Sequence, residues 1–247
     1  MEKKALLHPN GIQAILFDLD GTLRYNRPSS TRVFLDYAVK LGALDDPEKR
    51  QQATRWTHYY WAQSSELLED IRSFDGQEDL FWANYARRHL LAFDCTAKQA
   101  EVLAPQVYRY MQDEHQPEDW VPPEVPATLA TLKESGFLLG VLSNRTQPCQ
   151  EHLQNLGLDT YFSLAMVAGE VETWKPDPQI FHYALERLGS TPGETLYVGD
   201  NYYADVVGAQ RAGLHPVLVD PEGIFPDPGC PVIRLLSELV DLLSSRN

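Results

Sequence analysis

Two aspartates, Asp18 and Asp20, stand one residue apart at the end of the run AILFDLDGTL, whose other residues have the character of a protein interior. Burying one ionised carboxylate is costly, and burying two close together adds their mutual repulsion. Such a pair persists where solvent reaches it, where one member keeps a proton, or where a cation offsets the charge. Further along, Ser143 and Asn144 lie in LSNR, Lys175 precedes a proline in ETWKPDPQIF, and Asp200 and Asp205 lie in VGDNYYAD. Four acids, one hydroxyl and one lysine suit a hard cation and an anionic substrate. Mg²⁺ in particular is held by one or two carboxylates, water and substrate phosphate. Singly, each residue has a plainer reading: an aspartate after a strand is a turn or capping residue, and a lone lysine is a solvated charge. Their joint occurrence at the ends of apolar runs favours chemistry.

Those runs, at 12–17, 137–142, 195–198 and 216–219, are short and rich in large aliphatics, as strands covered on both faces are. Helical patterns at 125–135, 148–156, 178–188 and 205–212 lie between them and stop at Gly136, Gly157, Gly189 and Gly213. The alternation predicts an α/β fold with a doubly wound, Rossmann-like parallel sheet, in which ligands sit beyond the carboxyl ends of the strands. From Leu23 to about Pro122 no strand is evident. Helical periods run over 31–41, 47–62, 78–92 and 96–112, with Thr96 and Gln99 spaced as a capping box. The stretch QPEDWVPPEVP, with its four prolines, is a stiff return. An all-helical cap at 24–121 is therefore expected to interrupt a core made of 1–23 and 122–247.

The chain of 247 residues is 43% hydrophobic and 23% charged, and carries a net charge of −14. That balance argues against non-specific nucleic-acid binding and against anionic membrane surfaces, both of which need clustered positive charge. The first apolar stretch is cut by Asp18, so no signal peptide or membrane span is expected. Cys95, Cys149 and Cys230 form no metal-ligand pattern and read as reduced thiols. A cytoplasmic protein is expected, as monomer or homodimer.

The segments FDLDGTL, VLSNR, WKPDPQIF and YVGDNYYADVVGAQRAGLHPV, in that order, resemble the four motifs of the haloacid dehalogenase-like hydrolase superfamily, in its branch with a helical cap inserted after the first motif. The resemblance implies a Mg²⁺-dependent phosphatase acting on a small phosphorylated metabolite. Asp18 would be the nucleophile, giving an aspartyl-phosphate. Asp20 would be general acid and then general base, and residues two apart in an extended segment project to one side. Ser143 and the Asn144 N–H would hold phosphoryl oxygens, and Lys175 would offset charge. Mg²⁺ would be held by Asp18, the Asp20 backbone carbonyl and Asp200, with Asp205 acting through water or orienting Asp200 and Lys175. Thr22 joins the phosphate-binding set, although its hydroxyl suits a bond within the loop. Arg24, at the hinge, is expected to contact the leaving group or the cap rim.

Other chemistries in the superfamily leave marks that can be checked. Its dehalogenases lack the second aspartate, since a halide needs no protonation, and Asp20 speaks against that activity here. Phosphonate-cleaving members use a cap lysine, and nothing marks Lys40, Lys49 or Lys98 as activated. Sugar-phosphate mutases share both aspartates and stay open. A non-catalytic binding member would be expected to lack Asp18, Asp20, Lys175 or Asp200, and all four are present. In the cap, RWTHYYWAQ and FWANYARRH read as bundle core, with Arg87 and Arg88 on a solvated helix face.

Overall fold

In the computed structural model, which describes residues 11–244, Ala14–Phe17 forms strand β1 with all four residues buried. Ile15 and Phe17 enter one apolar cluster, and Ala14 and Leu16 enter another. That is the period of two expected of a strand covered on both faces. Strand β2 (Tyr25–Arg27) follows, then helices α1 (Ser30–Lys40), α2 (Pro47–Trp61), α3 (Ser65–Ser73), α4 (Glu78–Ala92) and α5 (Ala97–Asp113), and strand β3 (Glu118–Trp120). The chain continues through α6 (Glu124–Glu134), β4 (Leu138–Ser143), α7 (Gln150–Asn155), β5 (Leu164–Val167), α8 (Pro178–Leu188) and β6 (Thr195–Gly199). It ends with α9 (Val207–Arg211), β7 (His215–Val219), β8 (Val232–Ile233) and α10 (Glu238–Ser244).

The main sheet has six parallel strands in the order β5-β4-β1-β6-β7-β8. Chain order reverses beside β1: β4 and β5 build outward on one side, β6, β7 and β8 on the other. The crevice between β1 and β6 is the switch point where such sheets bind ligands. Strands β5 and β8 were not expected from the sequence. β5 is four residues long and half exposed at its start, and β8 has two residues, so neither carries a strong apolar run. Helix α8 begins with Pro178 at its first turn, is capped by the Asp177 carboxylate on the Gln179 N–H at 2.9 Å, and stops at the left-handed Gly189. The helix expected at 205–212 is instead a wider π-type turn, Tyr202–Val206, running into α9.

The chain divides into two compact units, one made of the chain up to Tyr25 and from Val121 onward, the other Asn26–Trp120. The second unit has its own core, including Phe34, Leu35, Ala53, Leu90 and Val107. The Thr96–Gln99 capping box at the start of α5 is formed in both directions. The unit is not all-helical: β2 and β3 pair as a two-stranded ribbon, and the Arg27 guanidinium lies over the Trp120 ring at 5.3 Å. Each strand has three residues with a single aromatic, Tyr25 or Trp120, too little for an alternating apolar signal, so the ribbon left no trace in the pattern. Helix α3 was missed for a related reason: Leu67 and Asp70 are its buried residues, while Leu68 and Ile71 are exposed. Arg88 is no solvated charge either. It pairs with the buried Asp70 at 2.8 Å, and Tyr60 donates to the same carboxylate at 2.9 Å.

Candidate active site

The loop after β1 is wound tightly around two backbone oxygens. Leu23 and Arg24 both donate their N–H to the Leu19 carbonyl at 3.0 Å, and the Gly21 N–H donates to the Arg24 carbonyl at 2.8 Å. Gly21 sits at φ +93°, and a Cβ there would lie 2.4 Å from an Asp200 carboxylate oxygen. Glycine is thus required twice, for the turn and for the approach of the Asp200 loop. Thr22 is buried and donates to Asp200 Oδ1 at 3.3 Å. Its hydroxyl here supports that acid.

Lys175 is buried and spends its three ammonium hydrogens on Asp18 Oδ1 at 2.7 Å, Asp205 Oδ1 at 2.7 Å and the Tyr197 hydroxyl at 2.8 Å. Burial works against its charge, but Asp18 and Asp205 outweigh burial and hold its pKa well above the ordinary lysine range. The segment carrying Lys175 is pinned by Asn144, whose side chain accepts from the Lys175 N–H at 2.7 Å and donates to the Lys175 carbonyl at 3.0 Å. Tyr197 in turn donates to the Leu142 carbonyl at 3.0 Å. Ser143, at the end of β4, is buried, and its Oγ accepts from the Arg145 N–H at 3.3 Å.

Asp18, Asp200 and Asp205 each bring a carboxylate oxygen within 4.8 Å of the others. The Asp18 carboxyl is pushed up to about 7, by burial first, with Asp205 and Asp20 adding to it and Lys175 opposing. Asp200 is raised well above the carboxylate range by burial, Asp18 and Asp205. Asp205 also accepts the Asn201 N–H on its second oxygen at 2.9 Å. Three carboxylates against one ammonium leave negative charge that a hard, oxygen-liganded cation would balance, so the donor set fits a divalent ion such as Mg²⁺.

Asp20 lies in different company. Arg145 forks onto it, with Nε donating to Oδ2 and Nη2 to Oδ1, both at 2.7 Å, and Arg24 Nε stands 2.7 Å from Oδ1. Burial raises the Asp20 pKa, but the Arg145 hydrogen bonds and the charge of Arg24 prevail and hold it below the usual value.

The structure therefore gathers Asp18, Lys175, Asp200 and Asp205 into one cluster, with Asp20 on the loop after β1 and Ser143 at the end of β4. Arg24 stands on Asp20. Sequence reasoning missed Tyr197 and Arg145, and for Asn144 it named the backbone N–H but not the side chain. Tyr197 is a phenol in the middle of a fully buried strand, which was the available signal. The Asn144 side chain and the Arg145 guanidinium gave none, because their bonds reach 31 and 125 residues along the chain.

Comparisons with known proteins identify the family. The family model for haloacid dehalogenase-like hydrolases matches residues 12–213. A phosphoserine phosphatase of Thermus thermophilus is 33% identical over 233 residues, covering 87% of this chain and 91% of that protein. The solved structure of a HAD phosphatase from Thermococcus onnurineus is 28% identical with a TM-score of 0.54, covering 94% of this chain and 98% of that one. A 2-haloacid dehalogenase from Pseudomonas syringae pv. Tomato DC3000 is also 28% identical, with a TM-score of 0.53, covering 96% of this chain and all of the other.

Proposed function

This chain belongs to the haloacid dehalogenase-like hydrolases and is an enzyme of the phosphoric monoester hydrolase class, and from that premise we propose that it hydrolyses a small phosphorylated metabolite through an aspartyl-phosphate on Asp18. One observation carries the reading: one oxygen of the buried Asp18 carboxylate is fixed by Lys175 at 2.7 Å, beside an acidic pair that calls for a cation.

Asp18 attacks phosphorus as the bond to the ester oxygen breaks, and Asp20, ionised while the arginines hold it, takes a proton from solvent on leaving them and delivers it to that leaving oxygen. Asp20 then takes a proton from water as the water oxygen attacks phosphorus, releasing phosphate and regenerating Asp18. The Ser143 hydroxyl and the Asn144 N–H donate to phosphoryl oxygens, and Lys175 offsets the charge gathered on Asp18 and the phosphoryl group. Mg²⁺ would be held by Asp18, Asp200 and the Asp20 carbonyl, with Asp205 fixing Lys175 behind them. When bound, it would neutralise phosphoryl charge and the repulsion among the carboxylates.

Asp20 separates this reading from dehalogenation, which needs no proton on its leaving group. Among the described residues no helix is long and apolar enough to cross a membrane, and we place the enzyme in the cytoplasm. Phosphate release from p-nitrophenyl phosphate, with Mg²⁺ and with chelator, is the test. Release is expected with the metal, and Asp18→Asn is expected to lose it by at least about a thousandfold while keeping the native circular dichroism. Turnover retained in that variant would remove Asp18 as nucleophile. A sugar phosphate isomerised without net phosphate release would replace hydrolysis by a mutase reaction.

A further inference from the structure

Asp20 is required to reach a leaving oxygen, yet here its carboxylate is engaged by two guanidinium groups. Arg145 takes both oxygens in a planar fork at 2.7 Å, and Arg24 stands 2.7 Å from one of them. Both arginines are partly withdrawn from solvent, with side chains 27% and 13% exposed. Arg145 is also held at its back, with His152 Nε2 3.3 Å from Nη2. Asp20 can turn to the ester oxygen only by vacating the fork. Two half-buried cations would then lose that carboxylate, a loss that another anion in its place would offset. A fork shaped for a planar carboxylate is best refilled by one.

Resting on the phosphatase reading, we infer that the preferred substrate is a phosphomonoester carrying a carboxylate near the phosphoryl group, and that this carboxylate displaces Asp20 from Arg145. Arg145 follows directly on Ser143 and Asn144, so a ligand whose phosphoryl group lies on those residues has its adjoining atoms beside the fork. The exchange frees the Asp20 carboxyl group to turn toward the leaving oxygen at the moment an acceptable substrate is bound. Arg145 is then a specificity-determining residue, and a phosphate ester without the acid group must break the fork unaided.

The test uses matched pairs that differ by the carboxylate: O-phosphoserine against O-phosphoethanolamine, and 2-phosphoglycolate against ethyl phosphate. A charge-assisted fork predicts that kcat/KM favours the acid in each pair by on the order of 10- to 100-fold. In Arg145→Gln the ratio should fall to within about twofold of unity, and in Arg145→Lys it should lie between, since an ammonium gives a point charge without the fork. The ratio is read rather than the absolute rate, and the wild-type ratio needs no variant to fold. A wild-type ratio near unity would overturn the inference, as would equal loss on both members of a pair in Arg145→Gln. A bisphosphate without a carboxylate outperforming both acids would do the same, by assigning the fork to a second phosphate. Phosphate release across the four esters separates the two levels: release with a flat ratio sinks the carboxylate alone, and no release from any of the four sinks the hydrolase reading and this one with it.

Discussion

Lys175 holds three oxygens with one ammonium group, and its loss should be felt in folding as well as in turnover. All three of its donors are used, on Asp18, Asp205 and Tyr197. Lys175→Met would leave two buried carboxylates without their cation, a change that costs about 3–5 kcal/mol in comparable buried pairs. Tyr197→Phe is a smaller cut. It removes the acceptor for one Lys175 donor and leaves the Leu142 carbonyl without its phenolic partner, at about 1–3 kcal/mol. Urea denaturation should therefore rank wild type above Tyr197→Phe and Tyr197→Phe above Lys175→Met. Equal midpoints for the two variants would mean that the phenol, not the ion pairs, organises the cluster. Phosphate release should fall in both, and further in Lys175→Met, which also loses the charge facing the transferred group.

Among the elements, the tight loop after β1 and the last turn of α8 both use left-handed glycines, but for different reasons. Gly189 lies at φ +73° with open space where a Cβ would go, so Gly189→Ala should cost about 1–2 kcal/mol of backbone strain and leave turnover alone. Gly21 adds a steric demand, because its Cβ would meet Asp200 at 2.4 Å. Gly21→Ala should cost more than Gly189→Ala and also lower Mg²⁺-dependent activity at least about tenfold, by forcing the Asp200 loop away. Activity and melting temperature measured on the pair would show the difference. The glycine in DLDGT was legible in the sequence, as were β1, β4, β6 and β7, because a strand buried on both faces must be apolar throughout. The residues at the ends of those strands were legible because polar groups there interrupt an apolar rule. What stayed hidden was made by tertiary contact. The Arg145 fork on Asp20 and the Asn144 clasp on Lys175 join segments whose local patterns do not anticipate each other, and the π-type turn that carries Asp205 has the residue content of an ordinary helix.

For the molecule as a whole, two units with separate cores imply two stabilities, and each answers to a different variable. The sheet unit holds the acidic cluster. A cation bound there only in the folded state stabilises it by about 2.7 kcal/mol at a hundred times its dissociation constant. The helical unit holds His89, buried against Phe34, Trp56 and Tyr85, with neither ring nitrogen hydrogen-bonded among the described residues. Burial lowers its pKa from 6.5 to about 3. Unfolded, the same imidazole takes up a proton below about pH 6.5 while the folded one stays neutral. The unfolded state therefore binds more protons, and stability falls as pH drops from 6.5 toward 3. At pH 5 this one group removes about 2 kcal/mol, and above pH 7 it contributes nothing. Four of the five tryptophans, Trp56, Trp61, Trp82 and Trp120, lie in the helical unit, and Trp174 lies in the other, so tryptophan fluorescence reports chiefly on the helical unit. In thermal melts, acidification from pH 7 to 5 should lower the fluorescence transition more in wild type than in His89→Phe, the difference between the two cancelling the titration of surface carboxylates. Mg²⁺ should raise the sheet-unit transition, seen by calorimetry as a transition separate from the fluorescence one, and Asp200→Asn should abolish that response while leaving the acid response intact. A single calorimetric transition that coincides with the fluorescence one under both treatments would mean that the units unfold as one, and the separate assignment of metal and proton sensitivity would fall.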